Sequence, residues 1–131
     1  MPSNKGVRLI LIGDVVGRGG RKFVQTVLPL IRAKFVPDVV IANGENSAGG
    51  LGIIKRTADE LFEAGINVLT GGNHIWDKKE ALELLKTEKR ILKPLNYHAS
   101  TPGTLDHKNT KAQEAQGTGN PSEILRLDTA F

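Results

Sequence analysis

Asp14, Glu45, Asn46, Asn73 and His74 are the residues of this chain whose types and spacing could do chemistry. Carboxylate and amide oxygens are hard donors suited to divalent cations, and an imidazole can give a proton near neutral pH. Each stands where an apolar run stops. The run 7–12 ends in Gly13-Asp14, the run 39–42 in Asn43-Gly44-Glu45-Asn46, and the run 68–70 in Gly71-Gly72-Asn73-His74. Taken singly, each cluster also has a local reading. Asp14, with Gly13 before it and Gly17, Gly19 and Gly20 after it, suits a helix cap beside a glycine turn. Asn43-Gly44-Glu45-Asn46 suits an Asx-type turn, although a turn gives its glutamate no task, and a carboxylate placed there can bridge two hard cations. His74 alone would be an ordinary hydrogen-bonding histidine, and His98 and His107 read as surface residues. The glycines after the first run match neither a dinucleotide fingerprint nor a P-loop.

Position is what joins the clusters. The runs 7–12, 38–43 and 67–70 are strand-sized, and the first is nearly continuous in apolar character, as a strand covered on both faces would be. Between them, Phe23, Val24, Val27, Leu28, Ile31 and Phe35 recur at helical spacing, predicting a helix over 21–35 with a kink or break at Pro29. Thr57 and Glu60 have capping-box spacing, so a second helix is expected to start near Thr57 and stop at Gly65. Asp77 and Glu80 repeat the spacing before Ala81, Leu82, Leu84 and Leu85. This βαβαβα order, with right-handed crossovers, predicts an α/β fold with a parallel sheet. The three strand ends then lie side by side on the carboxyl edge, where ligands bind. Trp76 is expected to pack beneath the third loop, and the Gly49-Gly50 stretch to let backbone approach a ligand.

Composition sets the bounds. The chain of 131 residues suffices for one domain. Its net charge of +4 is scattered, which permits phosphate-bearing ligands without requiring nucleic acid. With no cysteine, disulfides and thiolate metal sites are excluded. The polar start and strand-sized apolar runs predict no leader and no membrane span, hence a cytoplasmic protein. Residues 104–131, rich in Thr, Gln, Asn, Gly, Lys and Glu, read as a divergent, poorly ordered tail to a domain over 1–103.

The ordered segments Ile12-Gly13-Asp14-Val15-Val16-Gly17, Ile41-Ala42-Asn43-Gly44-Glu45-Asn46-Ser47-Ala48-Gly49-Gly50, Gly72-Asn73-His74-Ile75-Trp76-Asp77-Lys78 and Lys93-Pro94-Leu95-Asn96-Tyr97 resemble the YmdB-like branch of the calcineurin-type metallophosphoesterases. The resemblance covers 7–103. It implies that the parallel βαβαβα sheet is the first half of a four-layer αββα sandwich, in a phosphodiesterase holding two divalent metal ions, Fe or Mn. Its substrate would be a phosphodiester or 2′,3′-cyclic nucleotide, with no membrane and no stable nucleic-acid complex. By motif matching, Asp14 binds one metal, Glu45 bridges both, Asn46 and Asn73 complete the second site, and His74 protonates the leaving oxygen. Two cations roughly 4 Å apart can clamp a phosphate and activate a water.

Family members continue into a second half that supplies further metal-binding histidines, including a His-x-His pair. No such pair occurs here. The expectation is therefore half a metal site on a truncated chain, with weaker metal retention and an exposed apolar face that favours self-association into a homo-oligomer. A non-catalytic phosphate- or metal-binding module that pairs with another chain, or a truncated product without function, are the alternatives.

Overall fold

The computed structural model describes residues 6–104. His107 and all but the first residue of the expected tail lie outside them. Four strands and three helices alternate: β1 (Leu9–Asp14), α1 (Gly17–Phe35), β2 (Val39–Asn43), α2 (Lys55–Glu63), β3 (Val68–Thr70), α3 (Lys79–Thr87) and β4 (Ile91–Leu92). The strands form one sheet in the order β1-β2-β3-β4, each pairing in parallel with the next. This is the α/β arrangement the periodicities predict, and it matches the N-terminal half of a four-layer metallophosphoesterase sandwich. The short strand β4 was not among the expected elements. Two residues carry too little periodicity to be read from sequence, and β4 exists through its pairing with β3.

Side-chain alternation divides the sheet into two unequal faces. Ile10, Ile12, Val40, Ala42, Leu69 and Ile91 point to the helix side, where they pack with Val24, Leu28, Ala58, Leu61, Ala81 and Leu85 in one core. Leu9 and Leu11, paired with Val39 and Ile41, point the other way. On β1 that face is open: Leu9 is 51% exposed and Leu11 72%. The expectation of a first strand covered on both faces is thus corrected. β1 is an edge strand, and its branched residues reflect a face that the described residues leave bare.

The helices differ from expectation at their starts. α1 begins at Gly17 rather than Arg21 and runs unbroken through Pro29. Pro29 is exposed, so water can serve the carbonyl that loses its intrahelical partner. α2 begins at Lys55 because the Thr57 hydroxyl turns back to the backbone of Ile54, donating to its carbonyl at 3.0 Å and accepting from its N–H at 3.2 Å. Glu60, expected to complete a capping box, instead meets Arg21 and Arg56. Gly65 ends the helix with φ of 108°, as its place in the sequence predicts. α3 starts at Lys79 without a side-chain cap, since Asp77 has another partner.

Beyond β4 the chain is held by Lys93. Its buried ammonium donates to the carbonyls of His98, Ala99 and Thr101 at 3.1, 3.2 and 2.6 Å. The closed loop carries Tyr97, whose ring centroid lies 4.5 Å from that of Trp76. Trp76 Nε1 donates to the Pro102 carbonyl at 2.9 Å while its ring packs against the core.

Candidate functional site

Backbone bonding extends past the strand ends and draws the loops together. Val15 N–H donates to the Asn43 carbonyl at 3.0 Å, Gly44 N–H to Thr70 at 3.0 Å, and Gly71 N–H to Leu92 at 2.8 Å. At β1 the register skips a residue between Ile12 and Asp14, so Gly13 is left over and Asp14 stands opposite Asn43. Such a bulge re-aims a side chain at a strand end. Gly17, with φ of 56°, adopts a conformation that other residues reach only with strain, and its N–H donates to the Asn46 carbonyl at 2.9 Å. The first and second loops are thereby fixed to each other.

Two side-chain contacts occupy this edge. Asn46 Nδ2 donates to Asp14 Oδ2 at 2.9 Å. Because only the amide nitrogen can donate to a carboxylate, Asn46 Oδ1 faces elsewhere, and it is buried with no hydrogen-bond partner. Beside this pair, the Glu45 carboxylate accepts from the His74 backbone N–H at 2.9 Å and from Asn43 Nδ2 at 3.3 Å, while Asn43 Oδ1 accepts from Glu45 N–H at 3.1 Å. The carboxylate lies over Gly72, where a Cβ would run into both of its oxygens. Glycine at that position is a condition of the glutamate's placement.

His74 Nδ1 is 2.7 Å from Asp77 Oδ2. With the Asp77 carboxylate accepting Nδ1–H, the ring is oriented and Nε2 remains to exchange a proton. Asp14, Glu45, Asn46 and His74 are therefore linked through the first, second and third loops. Asn73 is exposed, and no hydrogen bond reaches its side chain among the described residues. His98 is exposed and bonds locally to Ser100, as a surface histidine would.

Three participants were not singled out from sequence. Asn43 and Gly72 sat inside clusters already marked, and nothing in their types distinguishes them from turn residues. Asp77 read as a helix cap, yet its offset of three from His74 was available as a signal.

Asp14, Glu45 and Asn46 fit a divalent cation in donor chemistry, and the partnerless Asn46 oxygen is a buried acceptor that a cation would satisfy. The set is sparse in charge and imidazole. Among the described residues, no three His, Asp or Glu side chains gather as a metal-binding group.

The 2′,3′-cyclic-nucleotide 2′-phosphodiesterase of Bacillus subtilis is 38% identical over 97 residues, covering 74% of this chain and 37% of that protein. A putative phosphatase/phosphodiesterase of Mycoplasma genitalium is 38% identical over 90 residues, covering 69% of this chain and 32% of its own length. The chain thus spans about a third of the curated relatives it matches. Among solved structures, a hypothetical protein from Thermus thermophilus superposes with a TM-score of 0.69 at 45% identity, covering 75% of this chain and 38% of that one. A novel phosphatase from Mycoplasma pneumoniae gives 0.71 at 33% identity, covering 76% and 37%. The family model described as YmdB-like protein matches residues 10–118, running past Gly103. The linked strand-end loops and a match over most of the sequence lead to one conclusion: the chain belongs to the YmdB-like family of calcineurin-type metallophosphoesterases.

Proposed function

We propose that the carboxyl edge of the sheet is the oxygen-donor half of a phosphodiesterase site acting on a 2′,3′-cyclic nucleotide or a related phosphodiester. The observation that carries this reading is the orphaned Asn46 Oδ1 beside the Asp14 carboxylate, a buried acceptor in need of a positive partner. Under the proposal, Asp14, Glu45, Asn46 and Asn73 would hold two divalent cations, Fe or Mn. Those cations would supply Lewis acidity at the phosphoryl group and favour deprotonation of the attacking water.

The chain's own residues have separate tasks. Asn43 and the His74 N–H hold the Glu45 carboxylate in one orientation, so it need not reorganise when substrate arrives. Asp77 fixes the His74 ring, leaving Nε2 to protonate the departing oxygen as its bond to phosphorus breaks. The 2′-oxygen is the leaving group favoured by the name of the Bacillus subtilis relative.

A specific observation also favours a second reading. With no gathered group of three His, Asp or Glu among the described residues, the chain would hold cations weakly and act as a module completed by another polypeptide.

The test is Mn²⁺-dependent hydrolysis of 2′,3′-cyclic AMP and of a chromogenic phosphodiester by the full chain, beside Asp14→Ala, Glu45→Ala and His74→Ala. Turnover by the wild type that falls at least tenfold in each variant supports the enzymatic reading. Equal rates in all four proteins eliminate the assigned residues. A wild type that binds Mn²⁺ without turning over substrate leaves the module reading.

A further inference from the structure

On the helix side of the second loop, a cleft of about 990 Å³ opens between α1 and α2 and reaches the start of α3. Arg18, Arg21, Lys22, Arg56 and Lys78 line it, against Glu60 and Glu80. The loop that carries Glu45 and Asn46 continues into its wall at Ala48 and Gly49.

Charge pairing within the cleft is uneven. Glu60 bonds Arg21 and Arg56, each at 2.6 Å, so one carboxylate serves two guanidinium groups. Arg18, Lys22 and Lys78 form no salt bridge among the described residues, and only Glu80 offsets them. The helix ends add to the imbalance. Neither α1 nor α2 has an acidic residue in its first turn, and α1 has no side-chain cap. Arg21 is buried and its guanidinium also donates to the Ser47 carbonyl, which makes the floor rigid. Above that floor, lysine and arginine heads stand over a concavity large enough for a small organic ligand.

We infer that this cleft is a second anion site, built for a small ligand bearing two or more linked phosphates. Arg18, Lys22 and Lys78 contact its oxygens through charge-assisted hydrogen bonds. The cleft lies among the helices, on the opposite side of the sheet from the exposed Leu9 and Leu11. The site needs no metal, and it stands or falls separately from the phosphodiesterase reading.

Inorganic pyrophosphate is the probe, titrated calorimetrically into the full chain in EDTA at low ionic strength, where the strand-edge site is stripped of cations. Binding should weaken at least tenfold in Arg18→Glu/Lys22→Glu, both exposed positions whose change leaves the melting temperature near that of the wild type. Two controls isolate the cleft. Lys34→Glu/Lys86→Glu removes the same charge elsewhere, and Glu45→Gln alters the strand edge; both should bind as the wild type does. No pyrophosphate binding by the wild type, or an equal loss in the charge-matched control, overturns the inference. So does binding of a single-stranded hexanucleotide without binding of pyrophosphate, which would mean that the basic surface follows a strand and does not hold a small ligand.

Discussion

Gly72 shows how one hydrogen atom in place of a methyl group governs the candidate site. A Cβ there would collide with both Glu45 carboxylate oxygens, and the bonds from His74 N–H and Asn43 would break as the carboxylate moved. Gly72→Ala should therefore lower Mn²⁺ affinity at least tenfold, measured by calorimetry, while the melting temperature changes by only a few degrees, as for a modest change outside the core. Unchanged affinity would mean that Glu45 does not hold the cation. Residue types at the strand ends were legible because each apolar run stops on a carboxylate, amide or imidazole. What escaped was the partner of each group. Asp77 read as a cap for α3, but its carboxylate is taken by His74, and α3 starts two residues later without it. Local spacing could not rank the two partners, because both are a few residues away and equally within reach of a short side chain.

At the scale of elements, the loop carrying Glu45 and Asn46 is braced from behind by α1 and α2. Arg21, on α1, reaches the Ser47 carbonyl and Glu60 on α2, while Ser47 Oγ bonds Thr57 Oγ1 at 3.1 Å. The periodicity of α1 could reveal its apolar face, but not that a buried arginine would sit beside it, since Arg21 stood at the first position of the predicted helix. Its guanidinium, with help from Arg56, holds the Glu60 carboxyl below its ordinary value of 4.5, against the opposing effect of burial. A depressed carboxyl stabilises the fold above that ordinary value, and the contribution is lost as pH falls through the folded-state value. Glu60→Gln should cost about 1–2 kcal/mol at pH 7, because Arg21 loses its charged partner, and the two proteins should converge in acid. Thermal melts between pH 7 and pH 3 check this; parallel curves would mean that the pair contributes nothing. At the far edge, burial lowers the pKa of Lys93, while three carbonyls hold its ammonium in place. Lys93→Met should release the loop that Trp76 bonds through Pro102, and a red-shifted tryptophan emission would report it.

The described residues make a one-sided molecule. Helices cover one face of the sheet, and on the other Leu9 and Leu11, with Val7 just before them, stand more than half exposed along an edge strand. Sequence read β1 as a strand with two buried faces, and its composition is that of one: a chain evolves branched residues on both faces only if both are covered in the working assembly. The family's four-layer sandwich supplies such a cover in a second sheet, and this chain spans about a third of its curated relatives. Among the described residues nothing covers this face, and an exposed apolar edge strand is prone to pair with another copy. Sedimentation velocity of the chain should therefore show association that grows with concentration. Leu9→Lys/Leu11→Lys should return it to monomer, since charges on an edge oppose pairing and neither side chain contributes to the helix-side core. The same change leaves Asp14, Glu45 and His74 in place, so Mn²⁺ affinity should hold at its wild-type value. If affinity falls with association, the cation site is completed between copies, and the bare face is part of how the site is built.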